Sequence, residues 1–304
     1  MRQDPNQGQY RQPRRRGFNP RLLILIAFAA YGLYYYFSNR TVDPYTGEKV
    51  LIDKNLDASR EEALGLQAYR DILAQERPVD SSSQIARQVR EIAARLVDKV
   101  DEVESALARE RGLQPGNFAR DFKWEVNVLD SPQANAFALP GGKMAVYTGL
   151  VPVAKNADGM AVVMGHEIAH ALMRHGAQRM ARGKLEQIGA MAGAASGMDP
   201  QMQQMIYQAY GVTSQLPYAR SHESQADEVG LMLMAAACFN PDEAVPLWQR
   251  MSAQSGGNSP PEFASTHPSA ESRIQHLQSL LPKARQYRQQ FCQSGAAQPV
   301  AGLS

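Results

Sequence analysis

The sequence predicts an α+β fold dominated by helix, with one small sheet and an apolar helix ahead of it. Three observations carry this. Beyond position 58 most of the chain repeats apolar side chains at helical spacing. Only "FKWEVNVLD" (122–130) and "KMAVYTGLV" (143–151) alternate as strands do, with "NAFALPGG" (135–142) turning between them. A single uninterrupted apolar run stands near the N-terminus. At 304 residues the chain is long enough for one large domain or two small ones. Its net charge of +2 is close to balanced, so no nucleic-acid partner is implied.

The charge is uneven, however. "MRQDPNQGQYRQPRRRGFNPR" (1–21) carries six arginines against one acid, and "LLILIAFAAYGLYYYF" (22–37) follows directly. Sixteen residues at about 1.5 Å each span roughly 24 Å, a little less than a hydrocarbon core. The closing tyrosines and Phe37 suit the interface, and Arg21 can snorkel at the other end. Residues 22–37 therefore read first as a transmembrane signal anchor. A cleaved signal peptide and a buried helix of the fold are the other readings, and the first of these is weakened by a poor small-residue cleavage site. An arginine-rich flank stays on the cytoplasmic side, so residues 1–21 form a cytoplasmic tail. The expectation is a single-pass protein of the bacterial inner membrane whose body lies in the periplasm.

A turn signal, "DPYTGE" (43–48), sits in a polar linker after the anchor. "SREEALGLQAYRDILAQE" (59–76) begins with a serine cap and acids in the first turn, and "SSSQIARQVREIAARLVDKVDEVESALARERG" (81–112) reads as one long helix with a solvated charged face. Residues 38–115 thus form a linker and leading helices, and 116–292 the main body. Within the body, helices are predicted over 159–183, 217–238, 242–254 and 270–292, a loop over 255–269, and a disordered tail over 293–304. The Ala/Gly/Met-rich stretch within 188–215 suits close core packing, with a movable lid as the other possibility. The two cysteines, Cys238 and Cys292, either pair or stay as buried thiols. Without a Cys-x-x-Cys they make neither a zinc ribbon nor a redox pair.

The chemistry concentrates in "GHEIAHALMRHG" (165–176). On a helix His166 and His170 are four residues apart and point the same way. Glu167 sits at the edge of that face, too near along the helix to be a comfortable ligand but well placed beside a metal's open position, as a general base. His175, nine residues from His166, lies about half a turn round the helix and points away, so it cannot join them as a ligand without breaking the helix. The apolar "MAVVMG" ahead of the motif makes this a buried helix, where two imidazoles and a carboxylate without partners would be costly. A catalytic zinc needs a third protein ligand and an open position. The metzincin continuation is excluded because Met173 and Gly176 stand where glycine and histidine are required. "ARSHESQADEVGL" (219–231) offers Glu223, and Asp227 shares its face, suited to hydrogen-bond the far nitrogen of a ligand histidine. His222 and Glu228 lie off that face and read as surface groups. Two histidines and one glutamate leave room for water, so a single Zn2+ per chain would be there for chemistry.

Together, "HEIAHALMRH", "ESQAD", "NAFALPGGKMAVYTGLV" and "STHPSAESRI" resemble the gluzincin metallopeptidases that include HtpX, the CAAX prenyl endopeptidase and Oma, over roughly residues 43–292. "DPYTGEKVLI" and "EEALGLQAY" resemble the single-domain Oma-like and LoiP-like branch. The resemblance implies a zincin-like protease domain with His166, His170 and Glu223 on zinc, Glu167 as general base and Asp227 behind a ligand. It also implies that the segment of Asn135, Ala136 and Phe137 is an edge strand lining the cleft, to which a polypeptide substrate adds by main-chain hydrogen bonds; a strand that merely covers the core is the other reading. His267 would donate to the oxyanion, latch the resting zinc as a fourth ligand, or only cap its loop. The function implied is membrane-anchored endoproteolysis of misfolded or misassembled envelope proteins. The alternative is a membrane-tethered chaperone or adaptor with a structural zinc. The oligomeric state stays open.

Overall fold

The computed structural model describes residues 20–202, 204–205, 216–255, 267 and 271–292. The basic tail up to residue 19, the predicted loop apart from residue 255 and His267, the C-terminal tail and residues 206–215 of the Ala/Gly/Met-rich stretch lie outside them.

The apolar run forms α1 (Pro20–Ser38), long and apolar enough to cross a membrane. Most of its large side chains are exposed, from Leu22 at 54% to Phe37 at 70%, as lipid-facing groups would be. The linker that follows is more ordered than predicted. β1 (Arg40–Val42) and β2 (Lys49–Leu51) pair antiparallel around the turn signal, where the Asp43 carboxylate accepts the backbone N–H groups of Tyr45 and Thr46. α2 (Ala58–Gln75) is capped by Asp57, not Ser59, through the N–H of Arg60. The single helix predicted over 81–112 is two, α3 (Gln84–Asp98) and α4 (Val100–Glu110), which meet at Lys99. A bend there lets both bury their apolar faces on one core.

β3 (Glu125–Leu129), β4 (Ala136–Leu139) and β5 (Lys143–Tyr147) form the sheet in the order β3-β5-β4. β3 runs parallel to β5 and β4 antiparallel, pairing Ala136 with Val146. β4 is thus an edge strand, as the resemblance implied. Short α5 (Val151–Ala154) leads into α6 (Ala157–Leu172), in which every residue except Asp158 is buried. A helix buried all round belongs at the centre of the fold, with β4, α3 and α8 (Leu216–Ala236) packed around it. α9 (Ala244–Ser255) and α10 (Glu271–Phe291) close the far side.

α6 and α8 touch backbone to backbone. A Cβ at Gly165 would stand 2.9 Å from the carbonyl oxygen of Gly230, and one at Gly230 would stand 2.7 Å from the amide nitrogen of His166. Only two glycines permit this approach. Cys238 and Cys292 form a disulfide that ties the end of α8 to the end of α10. Closing a loop of this separation, 54 residues, stabilises by about 4 kcal/mol in the chain-entropy account.

The helix predicted over 159–183 is broken. α6 ends at Leu172, and α7 (His175–Ala195) starts after Arg174 in the left-handed conformation, φ 55°. Arg174 is held there by the buried carboxylate of Glu61 on α2, at 2.8 Å, and by the carbonyl of Leu56. α7 then runs beside α1.

Candidate metal centre

The glycine crossing delivers the site. From α6, His166 and His170 turn their Nε2 atoms to one point, 3.0 Å apart. From α8, Glu223 brings Oε2 to 3.3 Å from His166 Nε2 and Oε1 to 3.4 Å from His170 Nε2. His267 joins them, its Nδ1 2.8 Å from Glu223 Oε2 and 3.2 Å from His166 Nε2. One ligand atom from each of these four residues lies within 4.8 Å of the others. Glu167 is 4% exposed, and its Oε1 makes no hydrogen bond, at 3.4 Å from His267 Nε2. A buried carboxylate oxygen aimed at a nest of nitrogen and oxygen donors is what a catalytic metal with its water would require, so the residues fit such an ion.

Behind the cluster, His166 Nδ1 lies 3.0 Å from Asp227 Oδ1. Burial by itself would disfavour charge on His166, but the carboxylates of Asp227 and Glu223 outweigh it and raise its pKa to about 9. His170 has no such surplus, and burial takes it down to about 3. The imidazoles of His166, His170 and His267 gathered around Glu223 overcome its burial and hold it far below the ordinary carboxylate range.

Two residues depart from expectation. His175 does not point away. Because Arg174 breaks the helix, its ring turns back under the site, with Nδ1 2.8 Å from His170 Nδ1. His222 is not a surface group: it is 2% exposed, stacked on His175 at 4.0 Å and bonded to Gln178. Glu228 does lie off the site, in ion pairs with Arg111 and Lys283.

Sequence reasoning missed Arg273, which stands in the quoted "STHPSAESRI" on the first turns of α10. Its guanidinium forks onto Asp227, reaches Glu223 at 3.2 Å and lies over the Trp248 ring at 3.4 Å. An arginine six residues after a histidine is a weak signal, since nothing local says that it will be buried.

Of the substrate-strand residues, Asn135 precedes β4, and its carbonyl accepts the N–H of Tyr147. Ala136 faces the core shared with α6, whereas Phe137 turns to the opposite side, against Tyr69 and Tyr147. A cavity of about 550 Å³ opens beside Glu223 and His267, walled by Arg179, Arg182, Glu186 and Tyr218 among others.

Residues 98–281, more than half of the chain, match the model of peptidase family M48. Over 270 residues the chain is 33% identical to the mitochondrial metalloendopeptidase OMA1 of Schizosaccharomyces pombe, covering 88% of this chain and 74% of that one. It is 28% identical to the human mitochondrial OMA1 over 88% of this chain and 51% of the relative. A putative beta-barrel assembly-enhancing protease of Vibrio cholerae is 28% identical over 72% of this chain and 43% of its own. The chain thus spans about half or less of the last two.

These relatives overturn the expected placement in a bacterial inner membrane, because OMA1 proteins from yeasts, animals and a plant are mitochondrial. An arginine-rich flank orients a helix across a membrane and carries no information about which membrane it is. The HExxH helix, the ExxxD helix and the family match agree over one stretch of sequence, and the chain belongs to peptidase family M48 of metallopeptidases, in its Oma-like branch.

Proposed function

We propose that this chain is a membrane-anchored zinc metalloendopeptidase in which His166, His170 and Glu223 hold the ion and Glu167 is the general base. The observation that carries this reading is the unbonded, buried Oε1 of Glu167 beside the four-residue donor cluster. Two imidazoles and a carboxylate suit zinc better than magnesium or calcium, which take oxygen ligands. When bound, the metal would acidify a water molecule and polarise the scissile carbonyl. Glu167 would take the proton from that water and return it to the leaving amine. Asp227, accepting from His166 Nδ1, would leave the Nε2 lone pair of that residue free to hold the ion.

The substrate is a polypeptide, and unfolded or misassembled membrane-associated proteins are its class. Support comes from the edge position of β4 next to α6. Main-chain groups of the Asn135–Ala136–Phe137 segment that face away from β5 would hydrogen-bond the substrate; the Asn135 carbonyl, already accepting from Tyr147, is not among them, and the Phe137 side chain lies on the far face. The anchor is α1, whose length, composition and exposed apolar surface suit lipid.

A structural metal in a tethered chaperone takes its support from His267, which completes four donors. Glu167 speaks against it, because a closed site has no use for a buried carboxylate oxygen that makes no hydrogen bond. Glu167→Gln decides. It should retain zinc while cleavage of casein by the full chain falls by several orders of magnitude. Wild-type cleavage by that variant removes Glu167 from the chemistry. In a membrane proteome the same variant should also capture uncleaved substrates.

A further inference from the structure

The far nitrogen of His170 begins a chain of hydrogen bonds whose direction is fixed from the other end. The Glu48 carboxylate, next to β2 in the hairpin that follows α1, can only accept. Gln225 must therefore donate to it through Nε2, at 2.8 Å. This leaves the Gln225 carbonyl oxygen as an acceptor, 3.2 Å from His175 Nε2, which must carry its proton there. His175 Nδ1 faces His170 Nδ1 at 2.8 Å, so one of these two nitrogens donates and the other accepts. A His170 that gives its Nε2 lone pair to an ion beside His166 and Glu223 carries its proton on Nδ1, so His175 is the acceptor there and holds its own proton on Nε2. The two ends of the chain thus assign the same direction.

The ring planes are fixed as well as the protons. His222 stacks on His175 at 4.0 Å with the planes 9° apart, and Gln178 holds His222 through Nε2 at 3.1 Å. His175 reaches this position only because Arg174 breaks the helix.

We propose that His175 is the positioning residue for the ligand His170, and that the chain His170–His175–Gln225–Glu48 ties the metal centre to the membrane-proximal hairpin. His166 and His170 would then be set by different devices, one directly by the Asp227 carboxylate and the other through a second histidine and an amide that end on Glu48. The proposal rests on the metal-centre reading above. It makes metal affinity sensitive to Glu48, a residue of the hairpin that lies outside the donor cluster.

The test is zinc affinity of the purified full chain by chelator competition, together with thermal stability of the metal-stripped protein. His175→Phe keeps a ring but has no acceptor for His170, and should weaken zinc binding about 10- to 100-fold. His175→Asn offers a carbonyl oxygen near the position of Nδ1 and should restore affinity to within about threefold of wild type. Gln225→Leu and Glu48→Gln leave the ring in place but release its tautomer, and should each weaken binding severalfold. They carry the test if His175→Phe does not fold. Wild-type zinc affinity in His175→Phe, or in both relay variants, overturns the proposal, as does a loss of stripped-protein stability with affinity unchanged. Failure of the wild-type chain to bind zinc at all would instead overturn the metal-centre reading.

Discussion

Arg273 holds Asp227 by both carboxylate oxygens, Nε to Oδ2 at 2.7 Å and Nη2 to Oδ1 at 2.6 Å, while Asp227 Oδ1 lies 3.0 Å from His166 Nδ1. One carboxylate thus joins the start of α10 to the HExxH helix. The pair is buried, and the charge of Arg273 keeps Asp227 ionised despite that burial.

Arginine's planar fork, not its charge alone, makes this arrangement. Arg273→Lys should fold yet bind zinc about tenfold more weakly, because a point charge cannot hold both oxygens. Arg273→Ala leaves Asp227 buried without its counter-ion and should cost about 3–5 kcal/mol of stability in chemical denaturation. Equal zinc affinity in wild type and the lysine variant would show that Asp227 needs no orientation.

Gly230→Ala tests the helix crossing. The added methyl would meet the backbone of His166 at 2.7 Å and Gly165 at 2.8 Å, and backbone cannot step aside as a side chain can. The expected result is a loss of about 1–3 kcal/mol, with zinc affinity falling in parallel as Glu223 is pushed from the two histidines. A neutral alanine there would mean that the helices tolerate a wider spacing.

His267 Nδ1 is 2.8 Å from Glu223 and 3.2 Å from His166, within the donor cluster. That position fits a latching fourth ligand better than an oxyanion donor. His267→Ala should therefore raise basal cleavage of an unfolded substrate severalfold. A fall of two or more orders of magnitude would instead assign it to the transition state.

Asp53 links the anchor to the body, accepting from Tyr35 on α1 and Lys184 on α7 at 3.1 and 2.7 Å. Burial would raise its pKa, but the hydrogen bonds from Lys184, Asn55 and Tyr35 outweigh this and lower it to about 2. The contribution to stability is complete above the unfolded pKa of about 3.9 and is lost as pH falls through about 2. The melting temperatures of wild type and Asp53→Asn should thus differ by a constant amount from pH 7 to 5 and converge below pH 4. A gap at pH 2 as large as that at pH 7 would place the effect elsewhere.

What the sequence determined by itself was everything that depends on helical period. His166 with His170, and Glu223 with Asp227, are spaced so that each pair must share a face, and no tertiary contact is needed to see it. The alternation of β3 and β5 and the apolar run of α1 were legible for the same reason. Tertiary structure decided where those faces meet. The meeting depends on two glycines 65 positions apart, Gly165 and Gly230, neither of which has a local signature. Packing also decided the fate of His175. Extrapolating an unbroken helix turned it outward, but the buried Glu61 of α2 draws Arg174 out of the helix and turns His175 under His170. Arg273 belongs to the same class, because a charged side chain is buried only where distant carboxylates wait for it. Period is a property of neighbouring residues, whereas a break, a crossing or a buried ion pair is settled by partners that the chain brings together from afar.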